Sequence, residues 1–162
     1  MRKVVVVLCV ACKGVAPCEQ AATVAPEIVI GVGEREFVPV QDGDTLPLSF
    51  GNQGGQHVWV GAQTKGLNPG TNPILGEGEP GPEILFEFVD ENGESVASVD
   101  TYQSPMRGTP VQAEIVGLQL LLDYDYLYHH PDAGLTEGLL SVSAVDSCGT
   151  VVDASVNAVL DL

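Results

Sequence analysis

Between residues 123 and 132 the chain reads DYDYLYHHPD, which sets Asp123, Asp125, His129, His130 and Asp132 close together along the backbone. Neutral imidazole and carboxylate are ligands for zinc and copper, and a distant His57 can complete such a set. One reading is therefore a metal site built on His57, His129 and His130. Two features oppose it: the spacing matches no defined metal motif, and adjacent histidines on a strand point to opposite faces. The same stretch holds Tyr124, Tyr126 and Tyr128, which with Trp59 offer a different chemistry, an aromatic surface on which a partner can settle. Calcium has candidate oxygen ligands in Asp42, Asp44, Asp90, Glu91, Asp146 and Asp153. None of them follows the calcium-loop spacing with its closing Glu, and Asp ahead of Gly is ordinary turn chemistry.

Catalytic and phosphate-binding patterns are weaker still. Ser49, Ser95, Ser98, Ser141, Ser143 and Ser155 lie in or beside strand patterns, and no G-x-S-x-G elbow occurs. A general acid and base could be drawn from any two of 22 Asp and Glu residues, so their abundance singles out no pair. The Gly/Pro-rich stretch from Leu67 to Glu83 has neither a Lys nor a phosphate cradle and reads as a stiff crossover. With only 6 Lys and Arg, binding to a phosphate backbone is not expected. These residues predict a protein that is not an enzyme and carries no obligatory cofactor; a secreted hydrolase ranks third, behind a binding protein and a metal protein.

The elements that must hold these residues follow a period of two. Ile28, Ile30 and Val32 alternate, as do Leu46, Leu48 and Phe50, then Ile84, Phe86 and Phe88. Val111, Ala113 and Ile115 form another set, Leu140, Val142 and Ala144 the next, and Ala154, Val156, Ala158 and Leu160 the last. Asn92-Gly93 marks one hairpin because both residues tolerate positive φ, and VDSCGTVVD marks a second with Gly149 in the left-handed position. Seven or eight short strands joined this way predict an all-β, antiparallel, immunoglobulin-like β-sandwich, with a barrel as the alternative. Leu118 to Leu122 fits both helix and strand spacing; a strand through Leu122 followed by a tyrosine-bearing loop is expected, with a short helix as the alternative. In GNQGGQHVWVG, alternation puts His57 and Trp59 on one face and Val58 and Val60 on the other. Core packing is the expected role of Trp59, although the ring pair could instead turn to solvent.

The start of the chain has a different character. MRKVVVVLCVAC combines two positive charges, an apolar run from Val4 to Ala11 and a cysteine, the pattern of an export leader too short to span a bilayer. It resembles bacterial lipoprotein leaders, with Cys9-Val10-Ala11-Cys12 in the place of the box that precedes the lipidated cysteine. Cys9 departs from that pattern, since those leaders usually carry Leu there. The alternative is a short buried valine-rich strand. GNQGGQHVWVG and VDSCGTVVD extend the resemblance, which is to uncharacterised bacterial lipoproteins with an immunoglobulin-like β-sandwich. It implies residues 1–11 as signal peptide, 12–26 as a lipidated Cys12 with a flexible linker, and 27–162 as the domain.

Removal of the leader and lipidation of Cys12 would leave Cys18 and Cys148 as a candidate disulfide in an oxidising compartment. Attachment would be to a membrane through acyl chains, in the bacterial periplasm or on the outer membrane surface. The expected function is a non-enzymatic, extracytoplasmic binding or structural surface protein that engages a protein or glycan; the alternative is a periplasmic protein binding zinc, copper or calcium.

Overall fold

The computed structural model describes residues 17–51, 55–71, 78–130 and 134–162. The expected leader, Cys12, Gln53, Gly54 and Asp132 lie outside these residues. In chain order the elements are α1 (Pro17–Ala21), β1 (Glu27–Val32), β2 (Val38–Pro39), β3 (Asp44–Leu46), β4 (Leu48–Phe50), β5 (Gln56–Lys65), β6 (Glu83–Asp90), β7 (Ser95–Thr101), β8 (Arg107–Thr109), β9 (Gln112–Leu122), α2 (Tyr124–His129), β10 (Leu135–Val145) and β11 (Val151–Asp161).

The protein is all-β in its framework. A single sheet of 11 strands runs β2-β1-β5-β9-β7-β6-β10-β11-β3, with β4 joined to β5 and β8 to β9. The sheet is mixed rather than purely antiparallel, because β3 runs parallel to β11 through Asp44↔Ala158 and Leu46↔Leu160. The extra strands beyond the expected seven or eight are short edge pieces. Leu46, Leu48 and Phe50 do not form one strand, since Pro47 between them offers no N–H to a ladder. Leu46 therefore ends β3 against β11, while Leu48 opens β4 against Val58 of β5.

The alternating apolar residues bury themselves on one side of each strand. Ile84, Phe86 and Phe88 of β6 are fully buried, as are Val58 and Val60 of β5, Leu120 of β9 and Leu140 of β10, and all belong to one core. The ladder from β7 to β9 is only Ala97↔Leu122 and Ser98↔Leu121, and the sheet curls so that the two flanks share that core, with β1 approaching β11.

A bulge explains the mixed periodicity of β9. Val60 of β5 pairs with Leu118 but Ala62 pairs with Ile115, so Val116 and Gly117 together oppose one residue, and Gly117 takes φ 77°. One extra residue switches the inward set from odd to even positions. Ala113 and Ile115 therefore face the core before the bulge, and Leu118, Leu120 and Leu122 after it.

Two further segments differ from expectation. From Pro17 onward, the stretch expected to be a flexible linker is held to the domain: α1 buries Ala21, and Cys18 is bonded to Cys148 with Cα atoms 5.6 Å apart. The tyrosine segment is the helix α2 rather than a loop.

The strand register gives the domain two ends. Antiparallel pairing of β6 with β10 sets Asp90 beside Gly138 at one end and Glu83 beside Val145 at the other. The β10–β11 turn with Cys148, and hence α1, belongs to the Glu83 end. Helix α2, the β6–β7 turn and β4 belong to the Asp90 end.

Candidate functional site

Helix α2 forms because Asp123 caps it. The residue is extended at φ −69° and ψ 125°, and its carboxylate accepts the N–H of Asp125 at 2.7 Å and that of Tyr126 at 3.4 Å. Helical spacing then divides the three tyrosines that sequence alternation had grouped. Tyr124 and Tyr128, four apart, share the outer face; they are 77% and 70% exposed and stack with ring centroids 6.5 Å apart. Tyr126 turns inward and is buried.

Beneath it, the Tyr126 hydroxyl donates to Asp90 Oδ2 at 3.4 Å, and its ring stacks on His130 at 4.4 Å. His130 Nε2 in turn meets Glu94 Oε2 at 3.1 Å. Asp90 is itself the organiser of the β6–β7 turn: its Oδ1 accepts the backbone N–H of Asn92 at 2.9 Å and of Glu94 at 2.8 Å. Burial pushes the Asp90 carboxyl up, but those donors and the Tyr126 hydroxyl outweigh it and hold the group below its ordinary value. Tyr126 moves the other way, raised by burial and by the charge of Asp90.

The β10–β11 turn repeats this design at the opposite end. Asp146 Oδ1 accepts the N–H of Cys148 at 2.9 Å and of Thr150 at 2.8 Å, while its Oδ2 reaches out of the hairpin to the N–H of Asn68 at 2.7 Å. Gly93 and Gly149 occupy matching positions with φ 85° and 81°. Reading Asp90 and Asp146 as turn residues missed their second role, anchoring a distant segment. The signal for the shared turn was in the sequence: both turns follow D-x-x-G.

An open groove of about 440 Å³ runs along the outer flank of α2, lined by Gly55, Gln56, Leu121, Leu122, Tyr124, Leu127 and Tyr128. Gln56 Oε1 is buried without a hydrogen-bond partner among the described residues. Phe50, paired in register with Gln56 and 69% exposed, stands at the same end. The inner flank of α2 forms a separate cleft with Glu94, Asp123, Asp125, Tyr126, His129 and His130 in its wall.

The histidines do not gather. His57 is 4% exposed in β5 and meets Trp59 edge-on at 4.7 Å, with its Nε2 unpartnered among the described residues. His129 donates from Nδ1 to the Asp125 carbonyl at 2.8 Å, and His130 is engaged by Glu94. No group of three metal-ligating side chains with suitable geometry occurs among the described residues. Both faces of β5 are covered at His57 and Val58, and Trp59 is half-buried, so it is not part of the exposed aromatic surface. No helix among the described residues is long and apolar enough to cross a membrane.

No protein family, curated protein or solved structure matches this chain.

Proposed function

We propose that the chain is a lipid-anchored, extracytoplasmic binding or structural protein without catalytic activity, built on an immunoglobulin-like sandwich. The observation that carries this reading is the Cys18–Cys148 bond, which ties the segment just after the expected lipidated cysteine to the β10–β11 turn. Disulfides persist in secreted and periplasmic proteins and are rare where thiols are kept reduced. The exposed pair Tyr124 and Tyr128 beside an apolar groove supports binding rather than a purely structural role, since exposed aromatic patches commonly mark interaction sites.

Strand order supports the finer fold. With β1, β5 and β9 taken as A, B and E, and β7, β6, β10 and β11 as C′, C, F and G, the neighbours follow an immunoglobulin-like arrangement, the short β7–β9 ladder marking the division between layers. Trp59 then sits on B rather than C, and the disulfide does not join B to F, so the likeness is one of topology and not of the antibody-domain core.

The test is thiol trapping and fractionation of the chain produced in a bacterium with its own first residues. A membrane-associated protein with Cys18 and Cys148 protected from alkylation is expected, and Cys12→Ser should release it to the soluble fraction. Reduced thiols on a cytosolic protein would contradict the reading.

A further inference from the structure

We propose that the outer edge of β11, from Val151 to Ser155, is a strand-addition site that takes an extended segment of a partner polypeptide. This site rests on the binding-protein reading and not on the lipid anchor.

Hydrogen-bond parity identifies the groups on the edge. The Asp146 N–H donates to the Thr150 carbonyl at 3.1 Å and the Leu162 N–H to the Gly134 carbonyl at 3.1 Å, and the β10–β11 register runs between them without a shift. Even-numbered residues of β11 therefore bond β10, and the odd-numbered ones turn their N–H and C=O groups away from it. At Asn157 the outward groups are taken: Asp42 Oδ1 accepts its N–H at 3.0 Å, and its carbonyl accepts the Gly43 N–H at 2.9 Å. Strand β3 continues the cover by pairing with Ala158, Val159 and Leu160. From Asn157 back to the turn, no strand among the described residues pairs with this edge. Val151, Asp153 and Ser155, all exposed, thus present their outward donors and acceptors at strand spacing.

Such a row is what another main chain matches, whereas a sugar ring or a lipid headgroup has no such repeat. The pairing of β3 shows that this same edge accepts a strand. Common devices that blunt an edge are missing, since residues 151–157 contain no Pro, Lys or Arg and no bulge. On the inner face Ala154 and Val156 are only partly buried against the core, so an added strand with apolar residues at alternate positions would complete their cover.

A second copy of this chain does not suit the edge. Antiparallel pairing of β11 with itself through all the outward residues from Val151 to Ser155 would set Asp153 against its own copy, and like charges directly opposite destabilise a ladder. The net charge of −16 on each copy adds to that repulsion.

The experiment uses the purified full chain with its disulfide intact. Amide hydrogen exchange is read by NMR before any ligand is added: the Ala154 and Val156 N–H groups should be protected, and those of Asp153 and Ser155 should exchange freely. A phage-displayed library of random linear peptides is then selected against the protein, and the strongest binder, made as a free peptide, is the probe. It should carry apolar residues at alternate positions, slow exchange at Asp153 and Ser155, and lose at least tenfold in affinity for Ser155→Pro. That variant deletes an outward N–H while leaving the Ala154 and Val156 bonds to β10, and its amide spectrum establishes that it is folded. Ser155→Thr, which keeps the N–H, should bind as the native protein does, and the exchange readout in the native protein needs neither variant. Protection of Asp153 and Ser155 before peptide is added would overturn the proposal, because the chain itself or a second copy would then fill the edge. So would a selection that yields no peptide, or a peptide that leaves those amides exchanging and binds Ser155→Pro equally well. Each of these failures would remove the strand-addition site and leave the membrane attachment and the disulfide untouched.

Discussion

The Tyr126 hydroxyl and Asp90 Oδ2, 3.4 Å apart, join the inner face of α2 to the turn between β6 and β7. Tyr126 makes it from the buried face of the helix, while Tyr124 and Tyr128 face out. Because Asp90 already holds the turn through two backbone N–H groups, the carboxylate serves two segments at once. Replacing Asp90 with Ala removes the shared acceptor of two part-buried backbone N–H groups and of the buried Tyr126 hydroxyl and should cost about 1–3 kcal/mol, whereas Tyr126→Phe removes one hydrogen bond and should cost about 0.5–1.5 kcal/mol. Urea denaturation of both single variants and the double variant checks this, with a coupling energy expected between the two sites. Strict additivity would mean that the contact contributes nothing.

The same pair predicts a pH dependence with opposite signs at its two limbs. The folded Asp90 carboxyl lies below its ordinary 3.8, so the unfolded chain takes up that proton first as the solution is acidified. Its contribution is complete above the unfolded pKa and is lost as pH falls through the lower folded value. Tyr126 lies above its ordinary 10.0, so the unfolded phenol ionises first, and stability declines as pH rises beyond that point. Urea midpoints measured across pH should show a shallower acid limb in Asp90→Asn than in the native protein. Superimposable acid limbs would contradict the assignment.

Truncating the exposed rings should separate surface from core. Tyr124→Ala and Tyr128→Ala are each expected to change stability by no more than about 0.5 kcal/mol. Tyr126→Ala, which empties a buried ring position and strips Asp90 of a donor, should cost about 3–5 kcal/mol. Thermal or urea unfolding of the three variants distinguishes them; similar losses at all three positions would mean that Tyr124 and Tyr128 pack in the interior.

Cys18 and Cys148 are separated by 130 residues, so their bond closes nearly the whole domain into one loop. Reduction, or Cys18→Ser, should lower stability by about 2–5 kcal/mol, chiefly by freeing the unfolded chain. Unfolding curves with and without a reductant measure this directly, and coincident curves would show that the bond does not constrain the unfolded state.

How far the sequence discloses this molecule depends on whether a feature is local. Ile84, Phe86 and Phe88 alternate without interruption, and the β6 face they define is fully buried. The turns at Gly93 and Gly149 were legible because positive φ at those glycines is a local demand, although Asn92, expected to share it, does not take positive φ. The bulge at Gly117 was hidden because an extra residue shifts the inward set by one and imitates a helical pattern. Helix α2 was obscured for a related reason: Tyr124, Tyr126 and Tyr128 alternate like a strand, and the cap from Asp123 that overrides this is a single hydrogen-bonding residue. Pairing of β3 with β11, and the reach of Asp146 to Asn68, depend on chain-distant segments meeting, which no local pattern records. His57, His129 and His130 showed the opposite risk, since side chains of the right type for one site are each engaged separately by their own surroundings.

The most direct measurement for the proposed function is the intact mass of the protein purified from the membrane fraction of a bacterium expressing the chain with its own first residues. A mass lacking residues 1–11 and increased by acyl modification at Cys12, with Cys18 and Cys148 still bonded, is the predicted result. An unmodified chain beginning at Met1 and recovered from the cytosol with reduced thiols would contradict it.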